Sequence, residues 1–231
     1  MASLYEKLGA ECIGTLFQTL AATVVDVLYF TGAGHVDFVS RWLARGFITT
    51  AMIYSFGGVS GAHIDPAVSL GFAVKRAMPV RQMLLYIISQ FVGGFAAAGL
   101  VFAFWGHTIV LGASHPRPQF THWQAAVAEV VLTFFLMIVI LATAEDEAKI
   151  GRQAAVAVGF TVAACGFFGG PISGASMNPA RSIPAQIFGG AYDLIWIYAL
   201  APCVGAVLAA LVMSCFASQP TEGERKAGKG A

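Results

Sequence analysis

The chain has 231 residues, of which 58% are apolar and 11% charged, with a net charge of +1 and a mean hydropathy of +0.75. A soluble domain carries roughly 25% charged residues, so this composition excludes a water-soluble protein and turns most of the outer surface toward lipid. No basic tract offers a surface for nucleic acid.

In chain order, a first apolar run predicts a membrane-spanning helix over 7–30. It contains Glu11 and lacks a basic leader, which argues against a cleavable signal peptide. A second span is predicted over 41–59. After it come Ser60-Gly61-Ala62-His63-Ile64 and a short apolar stretch, 66–76, that opens on Pro66. Spans over 81–104, 123–143 and 153–171 follow. The segment Ser173-Gly174-Ala175-Ser176-Met177 then leads into a second short stretch, 179–188, that opens on Pro179. A sixth span covers 194–216. The six spans can cross a hydrocarbon core of roughly 30 Å and the two short stretches cannot. Proline is favoured at the first position of a helix, and irregular backbone at membrane depth is tolerated only inside protein or along a watery cavity. Both short stretches therefore read as re-entrant half-helices. The polar, glycine-containing segment 217–231 predicts a disordered cytoplasmic tail.

An internal repeat sets the architecture. Gly61-Ala62 and Asp65-Pro66-Ala67 recur as Gly174-Ala175 and Asn178-Pro179-Ala180 at an offset of 113, and Ser69 recurs as Ser182. Tyr86, Gly93, Ala97 and Ala98 match Tyr198, Gly205, Ala209 and Ala210 at an offset of 112, and Ala10-Glu11 recurs loosely as Ala128-Glu129. Three spans per half make the halves inverted repeats, about 7–104 and 123–216, within one transmembrane channel domain, 1–216. The half-helices then dip in from opposite faces and meet near the centre. With the N-terminus inside, Lys7, Lys75, Arg76, Arg81, Lys149, Arg152, Arg225, Lys226 and Lys229 lie on one face. Arg41, Arg45, Arg117 and Arg181 lie on the other. Nine against four predicts both termini in the cytoplasm. Cys12, Cys165, Cys203 and Cys215 sit in apolar runs with no zinc spacing and read as packing residues.

The stretches AECIGT (10–15), SGAHIDPAVSLG (60–71), GGPISGASMNPARS (169–182) and APCVGAVLAAL (201–211) carry a resemblance to the aquaporin or major intrinsic protein family over nearly the whole length. The loops look closest to bacterial members and plant nodulin-like intrinsic proteins. The resemblance implies an all-α, right-handed bundle of six transmembrane helices plus two half-helices. It implies a homotetramer in the lipid bilayer, in a bacterial inner membrane, that passes water or small neutral solutes. Asp65 departs from the asparagine of the family's first motif.

The resemblance puts the pore midpoint at Asp65, Pro66, Ala67, Asn178, Pro179 and Ala180. Unpaired N–H groups and helix dipoles there repel cations. Asn178 is expected to cap its helix and offer its amide N–H to a passing molecule. Ala62, His63, Ile64, Gly174 and Ser176 line the pore through the loops. His63 is either a hydrogen-bonded anchor or a gate. Glu11 and Glu129, expensive inside a membrane, anchor the loop N–H groups or relay protons. Motif spacing puts the selectivity filter at Arg45, Gly166, Ala175 and Arg181. Gly166 and Ala175 leave room for a guanidinium group; alternatively Arg45 snorkels outward. Asp65 either caps its helix or alters selectivity. No nucleophile–base pair, metal-ligand cluster or cofactor motif is apparent, and His107, His115 and His122 read as polar loop residues. A passive channel for water, glycerol, urea or metalloid acids is the leading reading. A proton-linked or weak-acid transporter using Asp65 and the arginines, and a scaffold with an occluded pore, are the alternatives.

Overall fold

The computed structural model describes residues 2–145, 153–216 and 219–230. Lys149 and Arg152, counted above for orientation, lie outside the described residues. The first half comprises α1 (Leu4–Thr31), α2 (Phe38–Ser60), the half-helix α3 (Pro66–Val74) and α4 (Val80–Trp105). The second comprises α5 (His122–Glu145), α6 (Ala154–Ser173), the half-helix α7 (Pro179–Gly189) and α8 (Ile195–Phe216). A final helix, α9, spans Glu222–Lys229.

Local chemistry sets the helix ends. Ser3 and Glu6 form a capping box at α1, and Asp37 and Ser40 form one at α2. Hydrogen bonding from the Ser40 backbone N–H holds the exposed Asp37 carboxyl below the usual carboxylate range. Both α2 and α6 stop on glycines in the left-handed region, Gly61 at φ 89° and Gly174 at φ 84°. The irregular segments that follow run directly into Pro66 and Pro179.

The two halves pack alike. Helix α1 lies against α4 and α2, and α5 lies against α8 and α6. Each half-helix then packs mainly on the last span of the other half, α3 on α8 and α7 on α4. In the core Ala67, Val68 and Phe72 cluster with Ala206, Ala209, Ala210 and Met213. Glycine permits the closest crossings. A Cβ on Gly93 would meet the Cys12 carbonyl, one on Gly94 the Ala180 carbonyl, and one on Gly205 the Val130 carbonyl. Large apolar side chains stay exposed at three- and four-residue spacing, including Leu84, Ile88, Val92 and Phe95 on α4. They form the lipid-facing surface of an integral membrane protein. Helices α1, α4, α5, α6 and α8 contain windows apolar enough to cross a membrane. Helix α2, which carries Arg41 and Arg45, falls short by composition although its 23 residues are long enough.

The tail differs from expectation. Composition predicts disorder for 217–231, yet α9 forms within it. Thr221 and Glu224 make a reciprocal capping box, and Glu224 and Gly228 are buried against the bundle. The reciprocal capping bonds are a local helix signal within that polar segment. An isolated helix this short is marginal in water, so docking supplies the missing stability.

Gly93→Ala and Gly205→Ala are each expected to lower stability by about 1–3 kcal/mol through overpacking. Gly58→Ala, with nothing within 4 Å of its added methyl, is expected to leave stability intact. Thermal unfolding in detergent measures both.

Candidate functional site

The site is built on two irregular backbone segments buried between helices. Such a backbone needs an acceptor for each inward N–H, and α1 and α5 supply one carboxylate apiece. Glu11 Oε1 accepts from His63 N (3.0 Å) and Ser60 Oγ (2.6 Å), and its Oε2 accepts from Ile64 N (2.7 Å) and Gln90 Nε2 (2.7 Å). Glu129 Oε1 accepts from Ser176 N (2.8 Å) and Ser173 Oγ (2.6 Å), and its Oε2 accepts from Met177 N (2.7 Å). A tyrosine closes each loop from outside. Tyr86 Oη donates to Ser60 O (2.9 Å) and Tyr198 Oη to Ser173 O (2.5 Å). The same residues in each loop take positive φ, Ala62 (47°) and Ile64 (47°), and Ala175 (42°) and Met177 (56°). That conformation is strained for residues with a Cβ, and the carboxylate bonds hold it in place.

The half-helices begin where these loops end. Asp65 Oδ1 accepts from Ala67 N (2.8 Å), and Asn178 Oδ1 accepts from Arg181 N (3.2 Å). Asn178 Nδ2 donates to Ile64 O (2.8 Å) and Gln18 Oε1 (3.0 Å), and Gln18 Nε2 donates to Thr49 Oγ1 (3.2 Å). The two loops therefore touch across the centre through Asn178 and Ile64. Gln18 of α1 engages the amide that sequence reasoning assigned to a passing molecule. His63 stacks on Phe72, with Nδ1 3.0 Å from Ser69 Oγ and Nε2 3.0 Å from Ala227 O.

Toward the opposite face, three arginines converge on Asp26. Arg41 Nε lies 3.0 Å from Asp26 Oδ1, while Arg181 Nη2 (2.9 Å) and Arg45 Nη2 both contact Oδ2. All four side chains are buried. Three guanidinium groups and one carboxylate leave a formal +2. The Nη donors of Arg45 and Arg181 find further acceptors, whereas, ion pairing aside, the buried Nε of each of the three arginines has no hydrogen-bond partner among the described residues. Arg45 Nη1 donates to Gly174 O (3.1 Å), and Arg181 Nη1 to Ser114 Oγ (2.5 Å). Arg41 and Arg45 stack over the Trp42 ring at 4.3 and 4.4 Å. A small pocket lined by Asp26, Phe30, Arg41, His115, Arg117 and Gly174 opens beside this cluster.

Arg45, Ala175 and Arg181 thus lie together, with Arg45 turned inward rather than toward lipid. Gly166 behaves differently from expectation. A Cβ there, or on Gly170, would fall on the Trp42 ring, so these glycines make room for an indole rather than a guanidinium group. Sequence reasoning missed Asp26, Trp42, Gln18 and Ser114. Asp26 carried the same signal as Glu11 and Glu129, a lone acid inside a span. Its place near the predicted end of that span hid it.

An inverted-repeat bundle whose half-helices meet N-terminus to N-terminus at the membrane centre defines an integral membrane protein of channel architecture. The chain belongs to the major intrinsic protein family: the model described as "Major intrinsic protein" matches residues 1–213. It is 38% identical to Nodulin-26 of Glycine max over 211 residues, covering 90% of this chain and 76% of that protein. It is 42% identical to Aquaporin NIP1-4 of Oryza sativa subsp. japonica, covering 90% and 76%, and 42% identical to the Probable aquaporin NIP4-2 of Arabidopsis thaliana, covering 87% and 71%. The fold matches the X-ray structure of the aquaglyceroporin from Plasmodium falciparum with a TM-score of 0.81 at 23% identity, over 90% of this chain and 95% of that one. The three sequence relatives are plant proteins, so they lend no support to a bacterial inner membrane.

Removing Asp26 leaves three buried guanidinium groups without their shared counter-charge. Asp26→Ala is expected to cost about 3–5 kcal/mol, read as a lowered unfolding midpoint or a loss of folded protein in detergent. Replacing Arg117, which stacks on Phe30 outside the cluster, should cost far less.

Proposed function

We propose that the chain is a passive channel for water and small uncharged solutes, with Arg45 and Arg181 as the charged part of its selectivity filter. The observation that carries this reading is the opposition of the two half-helix N-termini, joined through Asn178 Nδ2 and Ile64 O. Each N-terminus bears roughly half a positive charge. An ionised Asp65 offsets much of that charge at the midpoint, so the +2 cluster on one side is the main barrier to a cation on the path, because Coulomb forces are strong in a confined, weakly screened site. A neutral molecule meets no such barrier and can exchange hydrogen bonds with the loop carbonyls and the arginine donors. Membership of the family supports the same reading, as do the relatives named as aquaporins.

Asp65 is the cap of α3 rather than a determinant of altered selectivity. Its carboxylate accepts the Ala67 N–H, which asparagine would do equally well. Glu11 and Glu129 are structural anchors on the same ground, since each accepts two loop N–H groups and a serine hydroxyl. His63 is an anchor too, its ring held at both nitrogens. Trp42, buried against Gly166 and Gly170, holds the Arg41 and Arg45 guanidinium groups over its ring. The chain assembles as a homotetramer through part of its apolar outer face, with both termini cytoplasmic. The Lys and Arg count supports that orientation, and three of the four basic residues on the outer side, Arg41, Arg45 and Arg181, are bound to Asp26.

Purified protein in liposomes is expected to accelerate osmotic shrinkage with a low activation energy, since permeants exchange hydrogen bonds along a preformed path. Permeability equal to that of empty vesicles, both in the full chain and in a chain ending at Ser218, would defeat the channel reading. Arg45→Ala should raise the ratio of glycerol or urea flux to water flux, with Arg181→Ala as the comparison. An unchanged ratio would remove Arg45 from the filter. Asp65→Asn should fold normally and conduct the same solutes. A proton leak in the wild type that Asp65→Asn abolishes, read with a pH-sensitive dye inside the vesicles, would overturn the capping assignment.

A further inference from the structure

The segment after α8 does not trail away from the bundle. Residues 219–230 pack back against the end of the bundle where α1 begins, and α9 contacts α2, α3 and α5 there. Elements from around the rim all touch this segment. From α1, Lys7 Nζ donates to Lys229 O (2.7 Å) and approaches Gly230 O (3.3 Å). From α4, Gln82 Nε2 donates to Lys229 O (2.9 Å). After α3, Lys75 Nζ lies 3.6 Å from Glu224 Oε1, with both side chains buried. From the first re-entrant loop, the His63 ring meets Ala227 O at 3.0 Å.

The contact has the marks of a fitted surface. A Cβ on Gly61 would strike the Ala227 carbonyl, and one on Gly228 would press on the Ala77 carbonyl at 2.9 Å. One on Gly230 would meet the Val59 carbonyl. Backbone therefore approaches backbone at three places where only glycine fits. The donors of the rim converge on the C-terminal carbonyls of α9, the groups that a helix leaves unpaired, and the Lys7 ammonium complements the negative end of its dipole. Beneath the helix, Ala62, His63 and Ile64, the loop residues of the path, are 5%, 4% and 2% exposed.

We propose that residues 219–230 are a displaceable plug. On this reading the mouth is a peptide-docking site whose occupant is the chain's own C-terminal segment, and docking shuts the path. The proposal rests on the channel reading above. Displacement is easy for a physical reason. The buried face of α9 offers only Ala227, glycine backbone and the Glu224 carboxylate, and no large apolar side chain. Glu222, Arg225, Lys226 and Lys229 stay exposed. Apart from the small buried ring of Pro220, docking among the described residues depends on hydrogen bonds and the Lys75–Glu224 ion pair, whose net contributions are modest. The helix itself is too short to persist once released.

The test compares osmotic water flux through the full chain, a chain ending at Ser218, and full-length Gly228→Leu in liposomes at matched incorporation. Gly228→Leu places bulk against Ala77 and expels the tail without shortening the chain. Arg225→Ala, on the exposed face of α9, is the control. If the docked state is about ten times as populated as the released one, both plug variants raise flux roughly tenfold while Arg225→Ala does not. Equal flux in the full chain and both plug variants, above empty vesicles, would overturn the plug alone. Equal flux at the level of empty vesicles in all of them would overturn the plug and the channel reading together.

Discussion

Two stretches of non-helical backbone lie at the centre of a membrane protein, and their inward N–H groups must be matched there. Water is not available to match them, and each orphaned donor would cost several kcal/mol. Glu11 and Glu129 meet that demand by accepting two backbone N–H bonds and a serine hydroxyl each. A carboxylate suits the task because it accepts on both oxygens and strengthens every bond by its charge. Much else depends on this match. It permits the positive-φ residues Ala62, Ile64, Ala175 and Met177, which in turn aim Asp65 and Asn178 at each other as helix caps.

The second organising feature is electrostatic. Charges buried in a membrane protein are tolerated when they pair, and one carboxylate here serves three guanidinium groups. Asp26 fixes Arg45 and Arg181 while leaving the cluster positive, so the geometry of the cluster and its sign come from one interaction. Trp42 completes it by covering two of the arginines with its ring. The small residues Gly166 and Gly170 earn their place by accommodating that ring.

The halves are related by a repeat but are not copies where chemistry differs. Asp65 faces Asn178 at matching positions, His63 matches Ser176, and Gln90, which supports Glu11, matches Pro202. The two ends of the bundle differ more. One carries the arginine cluster and the other carries the chain's own tail. A symmetric scaffold thus supports unlike ends.

Much of this protein was legible in its sequence, because membranes impose long apolar runs and leave few folds open to them. The spans, the half-helices after Pro66 and Pro179, and the inverted repeat all follow from local patterns of that kind. The membrane acids Glu11 and Glu129 stood out for the same reason, since a charge in an apolar run is conspicuous. Tertiary structure alone decided which side chains meet. Asp26 and Arg181 are 155 residues apart in sequence yet 2.9 Å apart in space. The space beside Gly166 belongs to Trp42, which no spacing rule indicates. The tail, polar and rich in glycine, reads as disorder until a surface is present for it to dock on. Its order comes from Lys7, Gln82, Lys75 and His63, all far away along the chain. Local sequence carries the elements because their causes are local, whereas charge pairing and docking depend on contacts that only the folded bundle creates.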